Sequence, residues 1–468
     1  MKNTKFYILF LLLSSKDKKR FLEFLCSPFH NKSPRLEKLG EYFYSHKKPI
    51  KEQAFQYVYS TKRKYNDVLM RRLMNGLLED LKKFISVTQF LDAKIETNTF
   101  LVNGLKEMKQ EKLLDEVLSK QTKLISDNLK NDSSFYYNRF LLETEKYAMN
   151  LSQKQLKLES RFSQIFSSLE EFYLFNKLKY YCHALNQKNI IKTDFQILYR
   201  EEILKNLKEG HYKTNAGVMI YYHILLLLLE EDEGINYKKV KKLLQENHYL
   251  FAQAEARDML VFAQNYCIKQ INRGRINYLK EVFYFYQFSI EKNLVYENGF
   301  ISPQTFKNIV STALRIKKGK WAQLFIKNYS TKVIKQHRAN TFNYNMANVH
   351  YSQKQYGACL KLLQQVNFKE AFYGLDAKVL MLKTFYEQKD FEALDRFWFS
   401  FYMYVKRNHY ISDAHKTSYL NFLKFTRKLM TVSNSDISKL KKIKTEIQNT
   451  KPISNINWLL EMVGKKNL

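Results

Sequence analysis

"NYNMANVHYSQKQYGACLKLLQQV", Asn343 to Val366, is matched 35 residues later by "KVLMLKTFYEQKDFEALDRFWFSF", Lys378 to Phe401. When the two are superposed, Tyr351 falls on Tyr386, Gln353 on Gln388, Tyr356 on Phe391, Cys359 on Leu394 and Leu363 on Trp398. Each copy reads as two helices around a tight turn, "SQKQ" in the first and "EQKD" in the second. The same offset taken backwards from Tyr356 reaches Trp321 in "KKGKWAQLFI", and looser copies lie at Tyr278 and Tyr237. Aromatics recurring at spacings of 41, 43, 35 and 35 residues predict helical hairpins that stack and bury one another's apolar faces.

The remainder of the chain is patterned in the same way. Its 12 Gly and 5 Pro are too few for turn-rich β architecture, while 45% apolar and 15% aromatic residues supply ample surface to bury. At 468 residues it exceeds one ordinary hydrophobic core, which leaves several domains or an elongated repeat array. From Asn66, "NDVLMRRLMNGLLEDLKKFISVTQFL" carries Leu69, Leu73, Leu77, Leu81 and Phe84 on one helical stripe. No segment alternates with period two long enough to demand a sheet. The most irregular stretch, "FLCSPFHNKSP" (Phe24 to Pro34), reads as a connector: a helix from near Ser15 cannot pass Pro28, and Ser33-Pro34 is an N-cap followed by a first-turn proline. His30 within it has no partner close in sequence and reads as a turn residue.

The expected fold is therefore all-α, an elongated α-solenoid of stacked helical hairpins with a basic N-terminal helical cap. Residues 1–90 would form the basic helical region, 91–165 a connecting region of long helices, and 166–430 the solenoid, clearest over 315–405. Residues 431–468 would be capping helices that pack Trp458 as a terminal cover.

Asn345, Ala347, Tyr351, Tyr356 and Cys359 stand where tetratricopeptide repeats place their signature residues, so the second half resembles degenerate members of that class. Ala347 and Leu382 replace the usual glycine, and no proline closes the units. The resemblance implies a concave groove faced by Asn345, Asn348 and Lys383, the last lying 35 residues beyond Asn348 on the next repeat. Over nearly its whole length, through segments such as "SSKDKKRFLEFLCSPFHNKS" and "SLEEFYLFNKLKYYCHALNQKNI", the chain also resembles a family of uncharacterised helical proteins of the Bacteroidota. That likeness implies architecture and a cytoplasmic bacterial setting, and no chemistry.

Charge sets the second line of expectation. The formal net charge is +33, but 16 of the 78 basic residues are Arg and the other 62 are Lys, and lysine lacks the bidentate fork that reads phosphates and bases. Residues 1–90 hold 19 Lys and Arg against 8 Asp and Glu, making this part about twice as basic per residue as the rest. Lys62, Arg63, Lys64, Arg71 and Arg72 are its nominated phosphate contacts, the last two on the strong helix.

Catalytic and metal constellations do not assemble. Cys26, Cys182, Cys267 and Cys359 are isolated, without CxxC pairs or zinc-finger spacing, which fits a reducing cytoplasm. "KKGKW" lacks the glycine pair and hydroxyl of a phosphate loop, and HExxH and GxSxG are missing. His183 and His223 read as packing residues, and "EEDEG" (Glu230 to Gly234) lacks the alternating ligands of a calcium loop. Phe6 to Leu13, preceded by Lys2 and Lys5, has the outline of a secretion signal, but no small-residue cleavage site follows, so a core helix is expected. Val218 to Glu230 is too short to span a bilayer. The sequence thus reads as a non-enzymatic scaffold binding another protein or peptide segment, with no cofactor, metal or membrane span. The alternative is a nucleic-acid- or ribosome-associated factor acting through the basic region.

Overall fold

The computed structural model describes residues 4–46, 48–59, 63–127, 130–152, 158–191, 198–229, 234–367, 373–408 and 412–466. Among these, the regular elements are 23 α-helices and three short 3-10 turns, with no strand beyond one isolated bridge between Glu297 and Phe300. The chain divides into two compact units, Met1–Leu174 and Phe175–Leu468. The acidic run Glu230 to Glu233 lies outside the described residues.

The first unit opens with α1 (Lys5–Leu12), α2 (Ser15–Cys26), α3 (Pro34–Ser45), α4 (Lys51–Tyr59) and α5 (Asp67–Asp92). All five contribute to one core, in which Phe6 lies 4.9 Å from Phe43 and Phe21 lies 5.5 Å from Phe84, ring to ring. The stripe read in α5 faces this core: Leu73, Leu77, Leu81 and Phe84 are buried and Leu69 is half-buried. Gly40 lets α3 close on α2, since a Cβ there would stand 2.5 Å from Leu25 Cδ1. The connector after α2 is ordered by Asn31, which donates to the Leu25 carbonyl at 2.8 Å and accepts from the Ser33 amide at 2.8 Å, while His30 stacks on Phe24. Ser33 occupies the N-cap position, but its hydroxyl makes no cap hydrogen bond. A smaller core, Val102, Leu114, Leu118, Ile125 and Leu142, joins α6 (Lys94–Glu107), α7 (Glu111–Asp127) and α8 (Ser133–Ser152).

The second unit begins within α9 (Leu158–Ile191) and continues through α10 (Arg200–Glu209), α11 (Ala216–Leu229), α12 (Ile235–Asn247), α13 (Gln253–Asn272) and α14 (Tyr278–Glu291). It goes on through α15 (Pro303–Arg315), α16 (Gly319–Tyr329), α17 (Arg338–Ser352), α18 (Tyr356–Leu363), α19 (Gly374–Gln388) and α20 (Phe391–Arg407). It ends with α21 (Asp413–Thr431), α22 (Ile437–Asn449) and α23 (Ile456–Lys466). α11 is apolar on all sides and correspondingly buried, as such a helix must be. None of the described helices is long and apolar enough to cross a membrane.

Helices pack in pairs: α11 on α12, α13 on α14, α15 on α16, α17 on α18 and α19 on α20. First members also touch the next first member, α11 on α13, α15 on α17 and α17 on α19. Four of these first helices end alike. Gly274, Lys317, Lys354 and Lys389 have φ of 90°, 60°, 59° and 61°, and the amide of the next residue reaches back to the carbonyl of Gln270, Ala313, His350 and Phe385 respectively, at 2.8–3.1 Å. This is the left-handed C-terminal motif that satisfies orphaned helix carbonyls. The aromatics that open the following helices are wedged unequally. Trp321 stacks on Phe325 at 5.4 Å, Tyr356 is half-buried, and Phe391 is 45% exposed with its ring edge toward Tyr386.

Candidate functional site

The three nominated groove residues lie on α17 and α19 and meet different fates. Asn345 is 1% exposed, and its amide donates to the Thr341 carbonyl one turn back at 2.7 Å, so it presents nothing to a partner. Packing of α15 and α19 on either side of α17 leaves this face no opening: Lys307 pairs with Asp376 at 2.6 Å and the Tyr373 hydroxyl donates to the Pro303 carbonyl at 2.9 Å. Asn348 is half-buried and donates to the Tyr344 carbonyl at 2.9 Å. Lys383, also half-buried, has its Nζ 5.0 Å from the Tyr351 ring centre and 5.7 Å from that of Trp458.

One turn beyond Lys383 stands Glu387, which spacing along the sequence does not single out. Its carboxylate accepts from the hydroxyl of Tyr351, from Trp458 Nε1 at 2.8 Å and from the Tyr356 hydroxyl at 3.1 Å, and Lys465 lies 3.6 Å away. α23 thus supplies both Trp458 and Lys465 to the end of α19. Burial works to raise the Glu387 pKa, but the hydrogen bonds from Tyr351 and Trp458, joined by the Lys465 charge, hold it below the usual carboxylate value. Burial pushes Lys383 down to about 8 against the opposing pull of Glu387 and Glu461. The Lys383 amine thus lies near two rings, Tyr351 of α17 and Trp458 of α23, with the Glu387 carboxylate one turn away. The only advance signal was the indole of Trp458, since a buried N–H needs an acceptor. Glu387 falls on Ser352 in the repeat register, so the repeat could not point to it.

The basic nominees lie around the start of α5. Arg63, Lys64, Arg71 and Arg72 are exposed, whereas Lys62 falls outside the described residues. Arg71 is engaged by Asp67, which also accepts from Tyr65 at 2.8 Å and pairs with Lys51 at 3.2 Å. Those donors, Tyr65 foremost and then Arg71 and Lys51, hold Asp67 at about 2. Arg63 lies over the Tyr59 ring at 4.6 Å. Arg72 and Lys64 project freely, so the nominees divide into two structural and two available cations.

Cys182, Cys267 and Cys359 are buried, and the Cys26 thiol donates to Glu37 at 3.2 Å, a carboxylate that together with burial pushes it up to about 11. Among the described residues no group of three His, Cys, Asp or Glu side chains is placed to hold a metal ion. Comparison with protein-family models, with curated proteins and with solved structures found no match to this chain.

Proposed function

We propose that this chain is a non-enzymatic helical-repeat scaffold of tetratricopeptide-like design, in which successive hairpins present their helices to an extended segment of another protein. What supports the reading is the reuse of one turn. Helices α13, α15, α17 and α19 close with a residue in the same left-handed backbone conformation and with the same backward hydrogen bond, at intervals of 43, 37 and 35 residues. A chain that repeats a hairpin in register lines up its first helices, and such a row is suited to an extended ligand. Asn345 is removed from the groove by its burial, leaving the half-buried Asn348 and Lys383 as the nominated contacts.

The test is affinity capture from the native organism at moderate salt, with and without nuclease, repeated with Asn348→Ala/Lys383→Ala. A protein retained after nuclease and weakened about tenfold by the double substitution, the scale of one or two charge-assisted hydrogen bonds, is the expected result. A partner that binds the double variant as before removes these contacts. Loss of all captured material on nuclease treatment favours the nucleic-acid reading, for which the free positions of Lys64 and Arg72 speak.

A further inference from the structure

A cavity of about 470 Å3 opens between α10, the turn after it, α11 and α12. Leu204, Leu207, Met219, Tyr222, Leu226 and Ile235 line it together with two buried polar residues, His223 and Asn236, the former on a helix otherwise built from apolar residues and one glycine. His223 is 5% exposed and Asn236 is 7% exposed, and His223 Nδ1–H donates to Asn236 Oδ1 at 2.8 Å. A buried imidazole in so apolar a helix is sustained by such a partner. Its rim is cationic: Lys205 and Lys208, three apart and so on one face of α10, Lys213 from the turn, and Lys239 from α12. Among the described residues no carboxylate lines the cavity, and none of the four lysines takes part in an ion pair.

Four like charges contributed by three segments to one concave space repel one another, and that repulsion is relieved by an anion seated among them. The volume lies in the range of small-molecule sites. Lysine binds phosphate as a point charge from any direction, so four of them suit a ligand with charge spread over several groups. A monoanion would leave most of the rim unneutralised. We infer that this cavity is a binding site for a small polyanion bearing two or more phosphate groups, with the lysines neutralising the phosphates and the His223–Asn236 pair forming the floor. This goes beyond the scaffold reading and stands or falls separately from it.

Calorimetric titration of the full chain with inorganic triphosphate, at low and at moderate salt, tests it. Expected are a saturable one-to-one isotherm that weakens with salt, and affinity lowered about tenfold in Lys208→Ala/Lys239→Ala, about one charge-assisted hydrogen bond's worth. Lys208→Arg/Lys239→Arg should retain binding. Lys441→Ala/Lys442→Ala, two exposed lysines of α22, is the charge-matched control. All these positions are exposed, so the fold survives each change. The proposal is overturned if wild type gives no saturable isotherm, or if the control loses as much affinity as the cavity variant, which would mean diffuse attraction to a +33 chain. Equal affinity for inorganic monophosphate would also overturn it.

Discussion

Lys383 illustrates how one position can be right in sequence and different in character. The repeat register put it on the same face as Asn348, and it does lie on the neighbouring first helix, yet its ammonium is enclosed by Tyr351 and Trp458 rather than displayed in open water. Burial makes the charged form costly, so its folded value of about 8 lies below the ordinary 10.5. Below about pH 8 both folded and unfolded chains carry the proton, and the folded state bears the whole cost. Between about 8 and 10.5 the folded amine has lost its proton while the unfolded one keeps it, so this residue's contribution rises with pH. Lys383→Met should therefore raise stability at pH 7 by about 2 kcal/mol, a figure reduced for the partial exposure of the amine. The gain should vanish by pH 10.5. Urea denaturation of both proteins across that range checks this, and a pH-independent difference would contradict it.

At the scale of the element, the hairpin turns carry the most information. Polar clusters such as "SQKQ" and "EQKD" located the ends of α17 and α19, because polar residues between two apolar periodic runs mark a turn. They did not reveal that Lys354 and Lys389 adopt a left-handed backbone, where a side chain costs about 1 kcal/mol and glycine is the usual occupant. Only Gly274, ending α13, uses glycine in this set. Lys354→Gly and Lys389→Gly should each stabilise the protein by about 0.5–1 kcal/mol, and Gly274→Ala should destabilise it by a similar amount. Thermal or urea unfolding would show this. Destabilisation by either lysine substitution would mean that the side chains contribute more than the backbone strain costs.

Across the whole molecule, apolar burial is spread over several clusters, and within the first unit it is uneven. α1 to α5 share a large aromatic cluster, whereas α6 to α8 meet over the few residues around Val102, Leu114 and Leu118. A region opens more readily the less apolar surface it buries. Native-state hydrogen exchange should therefore show amides of α6 and α7 exchanging at least about tenfold faster than those at the centre of α5, a difference of about 1.4 kcal/mol in opening free energy. Equal protection would show that the first unit opens as one body.

The helical character of the chain, the stripe of α5, the pairing of helices around "SQKQ" and "EQKD" and the burial of α11 were legible in the sequence. Each follows from apolar periodicity and from breaker residues within a dozen positions, and such local terms act wherever the chain is placed. The fate of Asn345, the carboxylate of Glu387 and the four lysines around His223 were not legible. Asn345 is closed off because α15 and α19 meet across α17, Glu387 is joined to Trp458 from 71 residues away, and the lysine rim is gathered from α10, a turn and α12. Those outcomes depend on which surfaces meet after the helices pack, and spacing along one helix holds no record of that.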